Sequence, residues 1–335
     1  MGRIGRQTAA KLMVACVLAT GLVMLVACAR AQPARQSQEP PSAQVQVVDL
    51  QAVTREAATG DGGNAWGGHQ CRIVRTRDGV FTAYTVPGTD DFHREWRLVW
   101  RKDGEWRVVA QGMAGRDPVN LLAGPDGTLH LIGWPGGGGT LWLGKPEGDG
   151  LEMRQEYIRG VAAGNWPYAS AGIDESGNLC VLSSAGEKPG YFFWACRPPA
   201  GGQWLAQLTT LPHRYCYTYV FPAGRSLSLV STRDVRWQVL GYRQPPDTFD
   251  YVFNAFGYWH TDDISEPLQE VAFVEELPTE QFPDVRCNAQ IDAYIDTAGH
   301  MHILYTLKGQ RTGGAWQVRH IIFSREGETL YDGQL

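Results

Sequence analysis

The feature that most constrains this chain is a hairpin pattern that occurs five times. Each copy has an apolar strand, a short turn that ends in glycine, and a second strand of alternating apolar and polar residues. The turn glycines are Gly79, Gly127, Gly177, Gly224 and Gly299, with successive separations of 48, 50, 47 and 75 residues. A recurring spacing near 50 residues predicts a protein built from structural repeats.

Two further strands follow each hairpin. In the first repeat they are predicted at 95–100 and 106–110, on either side of a turn. In the fourth repeat an insertion, 234–249, precedes the third strand and accounts for the longest separation. Four antiparallel strands in about 50 residues are typical of a propeller blade. We therefore expect an all-β protein, a β-propeller of four-stranded antiparallel blades.

The sequence leaves the blade number at five or six. Five repeats are visible between 66 and 335, and the early strand 45–50 with its neighbours could complete the ring. A two-sheet sandwich is the alternative, but it does not explain the regular spacing. The 40 glycines, 12 tryptophans and 13 tyrosines favour either β architecture, because glycine suits turns and aromatic rings suit strands.

The first 28 residues resemble a bacterial export signal. Basic residues precede an apolar run, 12–27, which is shorter than a typical membrane-spanning helix. The run ends in Leu-Val-Ala-Cys28, which resembles a lipobox and implies lipid attachment at Cys28. Ala29, which follows, implies sorting to the outer membrane. Cleavage after Ala31, which would give a periplasmic or secreted protein, and an uncleaved anchor are the alternatives.

Three segments are thus expected: a signal peptide with lipobox, 1–28; a disordered tether, 29–44; and the propeller domain, 45–335. The tether is rich in Pro, Gln, Ser and Ala and has too few apolar residues to fold. The formal net charge is −5 and no basic stripe is present, which argues against a nucleic-acid partner. The expected partners are the membrane, through the lipid anchor, and a ligand of the propeller.

The cysteines that follow the export signal lack the spacing of a metal site. Cys180 and Cys196 lie symmetrically about a turn near 187–189, so an antiparallel hairpin would place them opposite each other, within reach of a disulfide. Two buried thiols are the alternative. The histidines also lack partners at ligand spacing. We therefore expect no metal and no cofactor.

Polar and aromatic residues recur where the first strand of each blade begins, seven or nine residues before the turn glycine and in the preceding loops. Such residues would line a polar funnel around the axis. This funnel would either bind a ligand or hold only water. Aromatic rings stack on sugar faces, while Arg, Asn and Gln hydrogen-bond sugar hydroxyls. The expected ligand-binding residues are Arg72, Arg116, Asn120, Trp166, Tyr168, Tyr217 and Gln290.

Cleavage of a glycosidic bond by acid and base requires two carboxyl groups. Asp117 and Asp292 are the candidates at axial positions. Tyr215, Tyr217 and Tyr219 alternate along one strand, a pattern that predicts a shared face.

Several segments resemble the sialidase-like propellers with BNR or Asp-box repeats. Arg72-Ile73 and the hairpin after it resemble the Arg-Ile-Pro opening of the first sialidase blade, and the KDGEW turn at 102–106 resembles a degenerate Asp-box. The hairpins at 125–134 and 296–307 resemble BNR-type repeats. The resemblance implies a propeller and a carboxylate contact at Arg72. Val74 replaces the motif's proline, and the other members of the family's catalytic set have no match.

Together these features predict an exported propeller that binds a carbohydrate in its axial funnel. Whether it also cleaves that carbohydrate, as a glycoside hydrolase-like enzyme, stays open at this point. The alternative is a non-catalytic scaffold of the cell envelope that binds protein through its blade edges or the 234–249 insertion.

Overall fold

The computed structural model describes residues 50–56, 71–161, 164, 166–199, 202–281, 283–284 and 288–335. The predicted export signal with Cys28, the tether and residues 45–49 of the predicted early strand lie outside the described residues. All the strands fall within one compact unit, Ala52–Leu335.

The described residues form five four-stranded antiparallel sheets, each of them a blade. Within a blade, neighbouring strands follow one another in chain order. Blade 1 comprises β1 (Ile73–Thr76), β2 (Gly79–Asp90), β3 (His93–Lys102) and β4 (Glu105–Met113). Blade 2 comprises β5 (Asn120–Ala123), β6 (Leu129–Gly133), β7 (Thr140–Gly144) and β10 (Arg154–Tyr157), with a small hairpin of β8 (Pro146–Glu147) and β9 (Gly150–Leu151). Blade 3 comprises β11 (Ser170–Ile173), β12 (Leu179–Gly186), β13 (Gly190–Arg197) and β14 (Leu205–Leu211). Blade 4 comprises β15 (Tyr215–Ala223), β16 (Ser226–Arg236), β17 (Tyr251–Thr261) and β18 (Gln269–Glu275). Blade 5 comprises β19 (Asn288–Ile295), β20 (Met301–Leu307), β21 (Gln317–Phe323) and β22 (Thr329–Gln334).

This arrangement confirms the predicted all-β propeller. The first strands of successive blades lie beside one another, as expected of inner strands around an axis. The turns between first and second strands contain the glycines of the sequence repeat. Gly177, for example, has φ +87°, which a residue with a Cβ rarely adopts. The glycine spacing therefore reports the hairpin turns of consecutive blades.

Four apolar layers lie between successive blades among the described residues, and buried aromatic rings are prominent in them. Burying one such side chain contributes about 2–3 kcal/mol. The layers include Phe81, Trp96 and Leu131 between blades 1 and 2; Ile132, Leu179 and Val181 between blades 2 and 3; Phe192, Trp194 and Trp259 between blades 3 and 4; and Phe256, Met301 and Tyr305 between blades 4 and 5.

The first and last blades differ from the middle three. The inner strands β5 and β11 are covered on both faces, whereas β1 and β19 are each covered on one. Ile73 on β1 is 62% exposed and Tyr294 on β19 is 54% exposed. Within the described parts of the chain, no fifth apolar layer of similar size joins blade 5 to blade 1. The middle blades therefore hold the best-enclosed part of the axis.

Cys180 on β12 and Cys196 on β13 are directly opposite in the strand register and form a disulfide. Both side chains are buried in the layer between blades 3 and 4. Among the described cysteines, Cys71 and Cys216 carry free thiols. The disulfide thus links two strands at a site that solvent does not reach.

The prediction that three alternating tyrosines share one face of β15 is wrong. The register of β15 against β16 shifts between Cys216 and Tyr219, and Tyr217 has φ +59°. Tyr215 consequently packs between blades 3 and 4, whereas Tyr219 packs between blades 4 and 5. A bulge adds one residue to a strand and so inverts the alternation that follows it.

The predicted insertion 234–249 begins later than the sequence suggested, because β16 continues to Arg236. A 3-10 turn, Trp237–Leu240, follows, and Trp237 Nε1 donates a hydrogen bond of 3.0 Å to the Phe249 carbonyl. Further 3-10 turns are Pro135–Gly137 and Gln310–Thr312. In the part of the chain that the structure describes, no helix has the length and hydropathy needed to cross a membrane.

Candidate functional site

All five blades follow the same strand order, so their first strands begin at the same end of the propeller. We call it the site end, and the opposite end, which carries the glycine turns, the turn end. The ends of the second strands and the starts of the third strands also meet at the site end. Buried charged side chains collect there in blades 2 to 4, and they form the candidate functional site.

Asp117 lies between β4 and β5, and only 2% of the residue is exposed. Burial raises the pKa of its carboxyl group to about 7, even though Arg116 and the backbone amides of Ala169 and Tyr168 favour the ionised form. Its Oδ1 lies 3.9 Å from Nη1 of Arg116. Its pKa therefore lies near neutral pH, where the carboxyl group is able to give or take a proton.

An aromatic platform lies beside Asp117. The guanidinium carbon of Arg116 lies 3.4 Å from the ring centroid of Trp166, a cation–π contact. Phe92 meets the same indole edge to face, with centroids 6.3 Å apart. Arg94, itself buried, donates a 2.8 Å hydrogen bond to the Arg116 carbonyl and so fixes the backbone of this arginine. Trp166 is 48% exposed, so part of its ring is open to a ligand.

Tyr168 and Tyr217 face each other across blades 3 and 4. Their rings meet edge to face at 5.8 Å, and burial raises the pKa of both hydroxyl groups. Both residues have positive φ, 43° and 59°, a conformation that costs a non-glycine residue about 1 kcal/mol or more. The guanidinium of Arg214 lies 5.5 Å from the Tyr168 ring centroid and 4.7 Å from that of Tyr251. Backbone geometry and their mutual contact thus hold the two phenols in place, and Arg214 packs on the ring of Tyr168.

A second buried carboxylate, Asp234, lies near the end of β16. Its Oδ1 is 3.2 Å from Nη2 of Arg214, and its carbonyl accepts a 2.9 Å hydrogen bond from Arg214 Nε. Burial raises the pKa of Asp234, and the charge of Arg214 opposes that rise. The fully buried Cys216 thiol has a raised pKa, first from burial, then from Asp234 and in smaller part from Asp117. The charges of Asp234 and Asp117 therefore both affect the Cys216 thiol, so both carboxyl groups lie near it.

Gln290 links the site to blade 5. Its Nε2 donates a 2.6 Å hydrogen bond to the Tyr217 carbonyl, and its backbone amide donates to Thr232 Oγ1 at 3.2 Å. In blade 2, Asn120 is fully buried, and its Nδ2 lies 3.5 Å from the Ala169 carbonyl. Gln290 and Asn120 therefore hold the strand beginnings together rather than present free amides to solvent.

The structure thus brings together six of the seven residues expected to bind a ligand, along with Asp117. One chain of contacts connects Arg116, Asn120, Trp166, Tyr168, Tyr217 and Gln290. Arg72 lies at the start of β1, half-buried, and its carbonyl accepts a 2.7 Å hydrogen bond from Thr82. The preceding carbonyl, of Cys71, accepts from the Leu121 amide, which places Arg72 beside blade 2.

Asp292, the other predicted carboxylate, does not join this group. It is exposed on β19, next to a register shift, and its Oδ1 accepts a 2.9 Å hydrogen bond from the amide of Ala293. None of the contacts of the described residues brings it to Asp117. A second buried carboxyl group at the site end is Asp234, which the sequence pattern had placed only at the start of an insertion.

Arg214, Asp234 and Tyr251 are site residues outside the set expected to bind a ligand. One signal was present, since Thr232-Arg233-Asp234 interrupts a long apolar strand, and all three residues are buried. Arg233 is also paired, because its Nε donates a 3.0 Å hydrogen bond to Asn254 Oδ1 and its Nη2 contacts Glu275. Consecutive charged residues inside an apolar strand indicate a buried polar cluster.

Groups of three or more His, Cys, Asp or Glu side chains that could hold a metal ion do not occur among the described residues. The site as described offers arginines, carboxyl groups, phenols and an indole. These groups can bind hydroxyl and carboxylate groups, stack on sugar rings and transfer protons.

Comparison with known proteins finds no matching family model and no matching curated protein. Among solved structures, an ulvan lyase, described as a polysaccharide lyase, shares 10% identity over 80% of this chain and 70% of its own, with a TM-score of 0.49. An α-L-arabinofuranosidase of Fusarium graminearum in complex with arabinobiose shares 13% identity over 78% of this chain and 79% of its own, with a TM-score of 0.46. A protein from Lactobacillus plantarum shares 10% identity over 79% and 70%, with a TM-score of 0.49. Similarity at this level assigns no ligand.

Proposed function

We propose that this protein binds a carbohydrate at the site end and cleaves a glycosidic bond there. Asp117 is the proton donor, and Asp234 is the second carboxylate. Trp166 stacks on the apolar face of a sugar ring, while Arg116 and Arg214 hydrogen-bond sugar oxygens. A sugar presents apolar ring faces and hydroxyl edges. The aromatic platform can pack on the faces, and the two phenols can hydrogen-bond the hydroxyl groups.

The observation that carries this proposal is the environment of Asp117. A general acid works best when its pKa lies near the working pH, and a buried carboxyl group with a pKa of about 7 meets that condition. Burial raises the pKa of Asp234 as well, but Arg214 at 3.2 Å opposes that rise. Glycoside hydrolysis requires one carboxyl group that gives a proton and a second that acts in the ionised form, and we assign these roles to Asp117 and Asp234.

The chemistry would proceed from these two groups. Asp117 donates its proton to the oxygen of the departing sugar as the glycosidic bond breaks. Asp234 stabilises the positive charge that develops at the anomeric carbon, either by activating a water molecule or by direct attack. Arg214 holds Asp234 in position through contacts to both its carboxylate and its carbonyl.

The test compares wild type, Asp117→Asn and a matched control, Asp126→Asn, which makes the same change at the turn end. A panel of aryl glycosides and soluble polysaccharides measures turnover, and calorimetry with the polysaccharides measures binding. We expect Asp117→Asn to lose about 100-fold or more in rate while it still binds, because general acid catalysis contributes about that much. Asp126→Asn should match wild type. Full activity of Asp117→Asn would refute the assignment of the acid.

The resemblance to sialidase-like propellers assigns Arg72 to a carboxylate of the bound sugar. If the bound sugar carries a carboxylate, Arg72 at the edge of the site is the residue that the family resemblance assigns to it. Arg72→Gln should then weaken binding of a uronic or sialic acid about tenfold and leave binding of a neutral sugar unchanged. Equal loss for both sugars would remove the sialidase-like part of the proposal.

A scaffold that binds protein is the second candidate, and the exposed face of blade 5 favours it. Tyr294, Val318 and Tyr331 are 54%, 44% and 45% exposed on that blade. A glycan panel on which wild type shows neither binding nor turnover would favour this function. Loss of an envelope partner in a Tyr294→Ala, Tyr331→Ala variant would then support it.

We also propose that the chain is exported and anchored to the outer membrane through a lipid on Cys28. The support is the sequence, with its basic start, apolar run and lipobox-like Leu-Val-Ala-Cys28. Labelled palmitate should mark wild type in bacteria, and Cys28→Ala should lose the label and leave the membrane fraction. An unlabelled wild-type chain in the periplasm or medium would instead indicate ordinary cleavage.

A further inference from the structure

A cleft of about 480 Å³ lies at the turn end, between blades 2 and 3. Its walls are the blade 2 turn, 125–128, the blade 3 turn, 176–177, and the segment 197–199. Leu143 and Ile173 give it an apolar surface. The candidate functional site lies at the other end of the strands, so this cleft is a separate feature.

Two arginines in the cleft share one carboxylate. Arg197 Nη1 lies 2.5 Å from Glu156 Oε2, and Arg154 Nη2 lies 2.7 Å from Glu156 Oε1. Only 9% of the Arg197 side chain is exposed, and its guanidinium also lies 5.0 Å from the Trp204 ring centroid. Among the contacts of the described residues, its Nε and Nη2 make no other hydrogen bond. A buried guanidinium with unused donors thus lines the cleft.

The other acidic group of the cleft is already occupied. Asp126 Oδ1 accepts a 3.0 Å hydrogen bond from the Thr128 amide, and its Oδ2 accepts one of 2.7 Å from the Thr128 hydroxyl. Lys145 Nζ lies 3.7 Å from the same Oδ2 and balances its charge. Among the residues that line the cleft, Arg154 and Arg197 outnumber Asp126, so the lining carries one positive charge in excess.

His130 adds a neutral polar group. Its Nδ1 lies 3.1 Å from the Thr128 carbonyl, so this nitrogen carries the ring proton and donates it. Burial lowers the pKa of the ring, and the positive charge of Arg197 lowers it further. The ring therefore stays neutral at pH 7 and leaves the positive charge of the cleft to the arginines.

We propose that this cleft binds a small oxyanion attached to an apolar group, either a carboxylate or a phosphate monoester. The forked donors of Arg197 and Arg154 receive the anion, because guanidinium groups match the oxygens of carboxylate and phosphate. Leu143 and Ile173 contact the apolar part. This site stands apart from the proposed carbohydrate site, and neither depends on the other.

The test titrates the full chain with benzoate, phenyl phosphate, acetate and inorganic phosphate, at constant ionic strength, by calorimetry. Benzoate, phenyl phosphate or both should show saturable binding. Acetate should bind about tenfold more weakly than benzoate, and inorganic phosphate about tenfold more weakly than phenyl phosphate, because the ring buries apolar surface. The tighter of the two aromatic anions decides between carboxylate and phosphate. If neither aromatic anion shows saturable binding, the proposal is wrong.

Variants locate the binding. Arg154→Gln should weaken the tighter anion about tenfold, because a charge-assisted hydrogen bond is lost. Arg154 is largely exposed, so the fold should tolerate the change. Arg159→Gln, the same change at an exposed position of blade 2 outside the cleft, should weaken it less than twofold. Arg197→Lys, which keeps the charge but loses the fork, should also weaken binding. Equal effects of Arg154→Gln and Arg159→Gln would overturn the assignment.

Discussion

Asp174 at the turn end and Asp117 at the site end are the same residue type in opposite environments. Asp174 accepts hydrogen bonds from the amides of Ser176 and Asn178, at 2.9 and 2.8 Å, and from the Gly224 amide of blade 4, at 2.7 Å. Burial alone would raise the pKa of Asp174, but these bonds and the Asn178 side chain hold it below its usual value. At Asp117 burial prevails, and the pKa rises to about 7.

The comparison teaches that the number of donors around a carboxylate, set against its burial, decides whether its pKa falls or rises. The turn-end aspartates sit in tight turns whose amides point at them, which favours the charged form. Asp296 in blade 5 follows the same rule, with a pKa lowered to about 2, chiefly by the His300 amide. The site-end aspartates are surrounded by packed blades, and their charge is costly.

The largest effect is expected at Asp174, which joins two blades. Asp174→Ala removes hydrogen bonds to both blade 3 and blade 4, so the free energy of unfolding should fall by about 3 kcal/mol. Urea unfolding at pH 7 measures this. Asp174→Asn, which keeps part of the hydrogen bonding, should lose less. A loss below about 1 kcal/mol for the alanine variant would mean that the link between the blades contributes little.

The second-largest effect is expected in the pH dependence of stability, which should differ between aspartates of the site end and of the turn end. Because the pKa of Asp117 rises from 3.8 to about 7 on folding, the folded chain holds a proton between those values that the unfolded chain has released. Stability therefore falls as pH rises through this range, by about 2–3 kcal/mol between pH 5 and pH 8 from this group.

Asp117→Asn removes this titration and should flatten the fall by that amount in urea unfolding at the two pH values. At pH 8 the variant should be the more stable protein. Asp126→Asn is the control and should leave the slope between pH 5 and pH 8 as it is in wild type. An unchanged slope in Asp117→Asn would show that Asp117 is ionised at neutral pH, like its counterparts at the turn end.

A smaller effect is expected at the aromatic platform. Trp166→Ala removes a half-exposed ring that stacks under Arg116, so binding of a carbohydrate ligand should weaken about fivefold. The free energy of unfolding should change by less than about 1 kcal/mol. Isothermal calorimetry and urea unfolding give the two numbers. Lost stability with unchanged binding would place Trp166 in the packing instead of the site.

The smallest effect is expected at Asp126, an exposed turn-end aspartate. It accepts hydrogen bonds from the amide and hydroxyl of Thr128 in its own turn and lies 3.7 Å from Lys145 of the same blade, whereas Asp174 also reaches the next blade. Asp126→Ala should therefore lower the free energy of unfolding by about 0.5–1 kcal/mol. A loss as large as that of Asp174→Ala would show that the bond between blades is not what distinguishes the two turns.

The fold was readable from the sequence because its signals are local. A turn glycine such as Gly177 needs a positive φ, and the alternation on either side of it needs a strand. The facing positions of Cys180 and Cys196 followed from counting around one turn. The boundary of the blade 4 insertion did not, because β16 continues through charged residues that read as a loop.

The candidate site was readable only in part. Counting back from the turn glycines found Asn120, Tyr168 and Tyr217, and the loop before the blade 2 strand supplied Asp117, because strand beginnings in a propeller converge on the axis. The same count put Asp292 beside them, but the structure leaves it exposed after a register shift. Asp234 was missed because it comes from a second strand, to which the count did not apply.

By itself, the sequence determined the repeated four-stranded unit, its turns and the set of residues at each strand beginning, since all of these depend on neighbours along the chain. The tertiary structure alone decided which aspartates keep a proton. A pKa depends on burial and on donors: Asp117 acquires both from residues about 50 positions away, and Asp174 adds the Gly224 amide of the next blade to the donors of its own turn. Only the packing of one blade on the next sets those distances.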